Sequence, residues 1–104
     1  MKIRWTRRTL RLRLDDLESA ALQRGETLRE RIHFPGGDWS VELRGAQESE
    51  LGMRDGVLQV TLDEDELRLF ARQREDGIER EGQPRLLVEQ ERRPDDRSQE
   101  GSPA

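Results

Sequence analysis

The chain has 104 residues, 40% charged, 31% hydrophobic and 4% aromatic, with a mean hydropathy of −1.06 and a net charge of −4. That length suits one domain, and such polarity leaves it only a thin core. The absence of cysteine removes disulfides, thiolate nucleophiles and cysteine metal ligands together, and no apolar run approaches membrane-spanning length.

The first fourteen residues carry Lys2, Arg4, Arg7, Arg8, Arg11 and Arg13 and no acid, so the remainder holds thirteen basic residues against 23 acidic. Arg11 and Arg13 interrupt any signal-like apolar run, so a cytoplasmic location without membrane contact is expected. Leu10, Leu12 and Leu14 alternate with Arg11 and Arg13, the period of a strand with one wet face. Arg7 and Arg8 fall in the turn before it. A short helix then starts at Asp15, with Leu17, Ala20 and Ala21 on one face and Gly25 as its stop.

Alternation resumes at Leu28, Glu30, Ile32 and Phe34, with one charged exception, and again at Trp39, Val41 and Leu43. Pro35-Gly36-Gly37-Asp38 between them forms a hairpin loop. Asp55-Gly56 is a primed-turn signal leading into Leu58, Val60 and Leu62. A second helix starts at Asp63, with Leu67, Phe70 and Ala71 on one face and Gly77 after its end. Gly82-Gln83-Pro84 closes a third hairpin, between Ile78 and the strand 85–89. All 23 Leu, Ile, Val and Phe residues lie at or before Val88. The expected organisation is therefore one domain over 1–91 and a disordered polar tail over 92–104.

An offset of 48 aligns Leu10 with Leu58, Leu14 with Leu62, Asp15 with Asp63, Glu18 with Glu66 and Arg24 with Arg72. The alternating strands favour a mainly antiparallel sheet. The expected fold is α+β: a two-layer sandwich with two short helices on one face of a shared sheet, built as two β-α-β-β repeats.

Few residues suggest chemistry. The acid clusters Asp15-Asp16 and Asp63-Glu64-Asp65-Glu66 fit a divalent-cation site, but the Asp-x-x-Glu spacing in each is that of a capping box. His33 is the only histidine; between Ile32 and Phe34 it points to the wet face, where a solvated role outweighs that of a general base. No glycine-rich phosphate cradle and no nucleophile elbow is present. No catalytic residue, metal ligand or cofactor site is assigned, and an enzyme is the least supported class.

The basic strand is the candidate interaction surface: Arg4, Trp5, Arg7, Arg8, Arg11 and Arg13. Its arginines could track phosphates while Trp5 stacks on a base. Against this, the domain is acidic overall, and Glu30 and Glu42 stand as cross-strand partners on what is more usually an ordinary solvated face. Trp39 keeps period with Val41 and belongs to the core; Trp5 is either core or an interface anchor.

Met1-Lys2-Ile3-Arg4, Leu10-Arg11-Leu12-Arg13-Leu14, Asp76-Gly77-Ile78-Glu79 and Leu86-Leu87-Val88-Glu89 together resemble, in order, a family of short bacterial proteins of unknown function. The resemblance spans about residues 1–91. It departs at Glu91-Arg92-Arg93, where that family continues with an acid, an aromatic and often a cysteine. It implies the fold and no activity, cofactor or catalytic residue. A non-enzymatic interaction or regulatory module that self-associates as a homodimer, or binds another protein, is the leading functional expectation. A nucleic-acid-binding accessory protein is the alternative.

Overall fold

A computed structural model describes residues 1–72 and 77–91; the tail expected over 92–104 lies outside the described residues. The chain runs β1 (Lys2–Trp5), β2 (Thr9–Leu14), α1 (Asp16–Gln23), β3 (Leu28–Phe34), β4 (Gly37–Gly45), β5 (Glu50–Arg54), β6 (Val57–Leu62), α2 (Glu64–Arg72), β7 (Ile78–Arg80) and β8 (Arg85–Gln90). The fold is α+β, as expected.

The strands divide into two four-stranded sheets, ordered β1-β2-β8-β7 and β3-β4-β6-β5, where the sequence suggested one shared sheet. Each has antiparallel outer pairs and one parallel central pair, β2 with β8 and β4 with β6. The two orders are the same order when the first half of the chain is exchanged for the second. Each half therefore contributes two adjacent strands to each sheet and completes neither alone. Each half also carries a strand ahead of the β-α-β-β unit read from the sequence.

The helices do not lie together on one face. α1 carries the chain from the first sheet to the second and packs on β2, β3 and β4; α2 returns it and packs on β6 and β7. The reason is area. Helices of 8 and 9 residues are only about 12–14 Å long and cannot cover the apolar face of eight strands. The two sheets cover each other instead. Leu10, Leu12, Leu14, Val41, Leu43, Val60, Leu62, Leu86 and Val88 join Leu22 of α1 and Phe70 of α2 in one buried cluster. Burying each such side chain contributes about 1.5–3 kcal/mol, which is what holds so polar a chain together.

Local signals act as their chemistry requires. Asp15 and Asp63 both close capping boxes. Glu18 N–H donates to Asp15 (2.8 Å) and Asp15 N–H to Glu18 (3.0 Å); Glu66 N–H donates to Asp63 (2.8 Å) and Asp63 N–H to Glu66 (3.1 Å). Asp55 and Gly56 both adopt positive φ, 51° and 78°, as a type I′ turn demands. The loop expected over 35–38 tightens to Pro35-Gly36, since Gly37 and Asp38 already pair with Phe34 and His33.

Candidate functional site: an aromatic groove between two sheet edges

β1 and β3 are edge strands of different sheets, and no backbone ladder joins them. Along β1, Ile3 and Trp5 take the inner side, because they pair with Leu12 and Leu10 of β2; Lys2 and Arg4 take the outer. Along β3, Leu28, Glu30, Ile32 and Phe34 share one side, and Ile32 sits opposite Trp39 of β4. These two rows form a groove of about 420 Å³ lined by Ile3, Trp5, Ile32, Phe34 and Trp39. The Trp5 and Trp39 rings lie 5.1 Å apart at 35°, within the range of favourable tilted stacking. Trp39 is half-buried against the core, whereas Trp5 is 52% and Phe34 57% exposed. Three of the four aromatic residues of the chain thus line one groove; the fourth, Phe70, is buried.

The opposite seam, between β5 and β7, is closed by different residues. The pairings of Leu28 with Leu43 and Ile78 with Val88 make Leu28 and Ile78 equivalent, and Glu30 the counterpart of Arg80. Arg80 bridges its seam: its guanidinium donates to Glu66 (2.9 Å) and to the Thr61 carbonyl (3.0 Å), and Ser49 hydrogen-bonds Asp63 and Glu66. At the matching position Glu30 and Glu18 both pair with the Met1 amine. Burial alone would lower the pKa of that amine, but hydrogen bonds and charge from the two glutamates raise it. Beyond this pin the seams differ. β7 ends at Arg80, whereas β3 continues to Phe34 and places Ile32, Phe34 and Trp39 opposite Ile3 and Trp5.

The basic residues fall into two sets. Arg4 sits directly opposite Arg11, and Lys2 opposite Arg13, so two like-charge pairs face each other across β1 and β2. Glu89 of β8 answers Arg11 (3.5 Å) and Arg13 (3.4 Å), and Glu91 answers Lys2. The acids expected for this role are used elsewhere: Glu42 pairs with Arg29, its neighbour across the other sheet, and Glu30 faces the seam. Arg4, Arg7 and Arg8 have no side-chain partner among the described residues. Thr6 fixes the turn that carries the last two, accepting from Arg8 N–H (3.3 Å) and Thr9 N–H (3.0 Å). Of the six candidate residues, then, Trp5 lines the groove, Arg4, Arg7 and Arg8 flank it in sequence with no side-chain partner among the described residues, and Arg11 and Arg13 share the single carboxylate of Glu89.

The remaining candidates have structural roles. His33 is exposed and pairs with Asp38 across the hairpin (2.7 Å). The acid clusters cap their helices, and Asp63 is held below the usual carboxylate range, chiefly by the Glu66 N–H and then by the Ser49 hydroxyl. Among the described residues no group of three or more His, Cys, Asp and Glu could hold a metal, and no helix is long and apolar enough to cross a membrane. The sequence does not mark the groove residues Ile3, Ile32, Phe34 and Trp39 as a site. The aromatic alternation flanking Pro35-Gly36 was visible, but its juxtaposition with β1 depends on how two separate sheets meet.

No curated protein and no solved structure matches the chain. A family model matches it over residues 1–98, nearly its whole length, and the chain belongs to that family, DUF7009, a family of unknown function.

Proposed function

We propose that the protein is a non-enzymatic interaction module whose contact site is the groove between β1 and β3. The observation that carries this reading is the clustering there of three aromatic side chains, two of them more than half exposed, in a chain with only four. Leaving large apolar surface in water is costly, and such patches on small domains mark binding surfaces. The matched strand orders of the two sheets support reading the halves as an internal repeat, with the longer β3–β4 hairpin as the elaboration that opens one seam.

Self-association is a second occupant of the same surface, and the exposed Trp5 and Phe34 favour it. Its simplest form, antiparallel pairing of two β1 edges, brings Lys2 and Arg4 of each copy together and is opposed by their charge. Nucleic-acid binding is favoured by one observation, that Arg4, Arg7 and Arg8, close to Trp5 in sequence, have no side-chain partner among the described residues. Affinity capture from host lysate, with nuclease-treated and untreated halves, tests these readings against a Phe34→Ser variant. A protein partner that survives nuclease and is lost with Phe34→Ser supports the interaction module. Recovery that collapses with nuclease favours nucleic acid, and recovery indifferent to Phe34 removes the groove as the contact site.

A further inference from the structure

The groove's lining and its flanking charges describe the chemistry of an occupant. The geometry points to an extended acidic segment of another protein, with two bulky hydrocarbon side chains at alternate positions, laid along the open edge of β1. This inference rests on the reading of the groove as a contact site and adds the class of partner.

Four observations carry it. First, all five lining side chains are hydrocarbon or indole. A nucleobase has polar atoms around its edge, and buried in such a lining most of them would lose their hydrogen bonds, whereas an aliphatic or phenyl side chain loses none. Second, a volume of about 420 Å³ is at the lower end for ligand sites and suits paired anchors. An extended chain presents alternate side chains on one side about 7 Å apart, the same repeat by which Ile3 and Trp5, and Ile32 and Phe34, are set along their strands. Third, β1 and β3 are both edge strands, so an added strand would find backbone groups unused by either sheet. Fourth, Arg4, Arg7 and Arg8 have no partner among the described residues, whereas Lys2 pairs with Glu91, and Arg11 and Arg13 share Glu89. Three guanidinium groups close in sequence to the groove residue Trp5, with no acid paired to them among the described residues, favour an anionic partner. A second copy would present its own basic β1 at this edge, and a basic peptide would meet the same repulsion.

Trp5 and Trp39 are the only tryptophans, and there is no tyrosine, so intrinsic emission of the full chain reports on the groove directly. The experiment titrates the protein with a blocked pentapeptide of glutamate, phenylalanine, glutamate, leucine and glutamate. Controls are the same peptide with lysine for glutamate, the same with serine for both apolar residues, and an oligothymidylate. The acidic apolar peptide should give a saturable emission change, with affinity about tenfold above either peptide control. Binding should weaken several-fold in Arg7→Gln/Arg8→Gln, whose substitutions lie in an exposed turn, and in Phe34→Ala, with unchanged far-ultraviolet circular dichroism in both. It should also weaken at about 1 M salt, where screening acts over roughly 3 Å. Equal binding of the lysine or serine peptide overturns the inference. A response to oligothymidylate alone, or to protein concentration alone, overturns this occupant while leaving the groove as the contact site. Silence of both indoles toward every probe overturns the occupant, and the capture experiment with Phe34→Ser then decides the groove separately.

Discussion

Gly77 offers a quantitative test of how β7 and β8 come together. It has φ of +67°, and a Cβ built there falls 2.2 Å from the carbonyl oxygen of Val88 and 2.9 Å from Cα of Glu89. Both neighbours are backbone in β8, a strand whose residues Leu86 and Val88 belong to the core, so they cannot swing aside as a flexible side chain would. Gly77→Ala therefore incurs about 1–2 kcal/mol for the left-handed conformation. Displacing β8 adds about 1–3 kcal/mol, as overpacking of a filled interior does. The sum, roughly 2–5 kcal/mol, is a large share of the 5–15 kcal/mol typical of a domain. For a chain this size it lowers Tm by on the order of 10–30 °C. Gly52→Ala is the internal control: it lies in β5, outside the left-handed region, with nothing within 4 Å of the added Cβ, and should change stability by less than about 0.5 kcal/mol. Urea and thermal unfolding followed by circular dichroism measure both. Equal stability of the two variants would refute the close approach of Gly77 to β8.

Other substitutions test other parts of the account. Leu12→Ala and Phe70→Ala remove fully buried side chains from β2 and α2 and should cost about 2–5 and 3–5 kcal/mol by chemical denaturation; losses below 1 kcal/mol would mean that sheets and helices do not share one core. Glu89→Gln leaves Arg11 and Arg13 without their acid at partly exposed positions, so it should be less stable than wild type by about 0.2–1 kcal/mol per pair at low salt, and the difference should vanish at high salt, where the wild-type pairs are screened as well. Asp63 has a folded pKa below its unfolded one, so its carboxylate stabilises the fold above the unfolded value, and that contribution disappears as pH falls through the folded one. Since Asn also caps helices, the stability gap between wild type and Asp63→Asn should be full at neutral pH and close in acid; a gap independent of pH would assign the effect to packing.

Much of the fold is legible in the sequence because local chemistry dictates it. The Asp-x-x-Glu spacings, the Asp55-Gly56 turn and the alternation in β2, β4 and β6 each need only a few neighbouring residues to act. Sheet membership is different. Leu12 and Leu43 show the same period in sequence, yet they belong to different sheets, because the decisive pairings β2 with β8 and β4 with β6 join opposite halves of the chain. The same non-local assembly hid the groove. Trp5 could be read as core or anchor from its neighbours, but its stacking on Trp39 follows from two sheet edges meeting. It also left the arginine strand mis-partnered: Glu30 and Glu42 were sensible acids by composition, while Glu89, 76 residues from Arg13, is the one that register brings beside it.

The most direct test of the groove as the contact site is photocrosslinking in the intact host cell. A benzophenone-bearing amino acid replaces Phe34 at the groove or, in a parallel strain, Met53, the exposed counterpart of Trp5 on β5 at the other seam. The account predicts a discrete crosslinked adduct from position 34 and none from position 53. Adducts from position 53 alone, or equally from both, would contradict it.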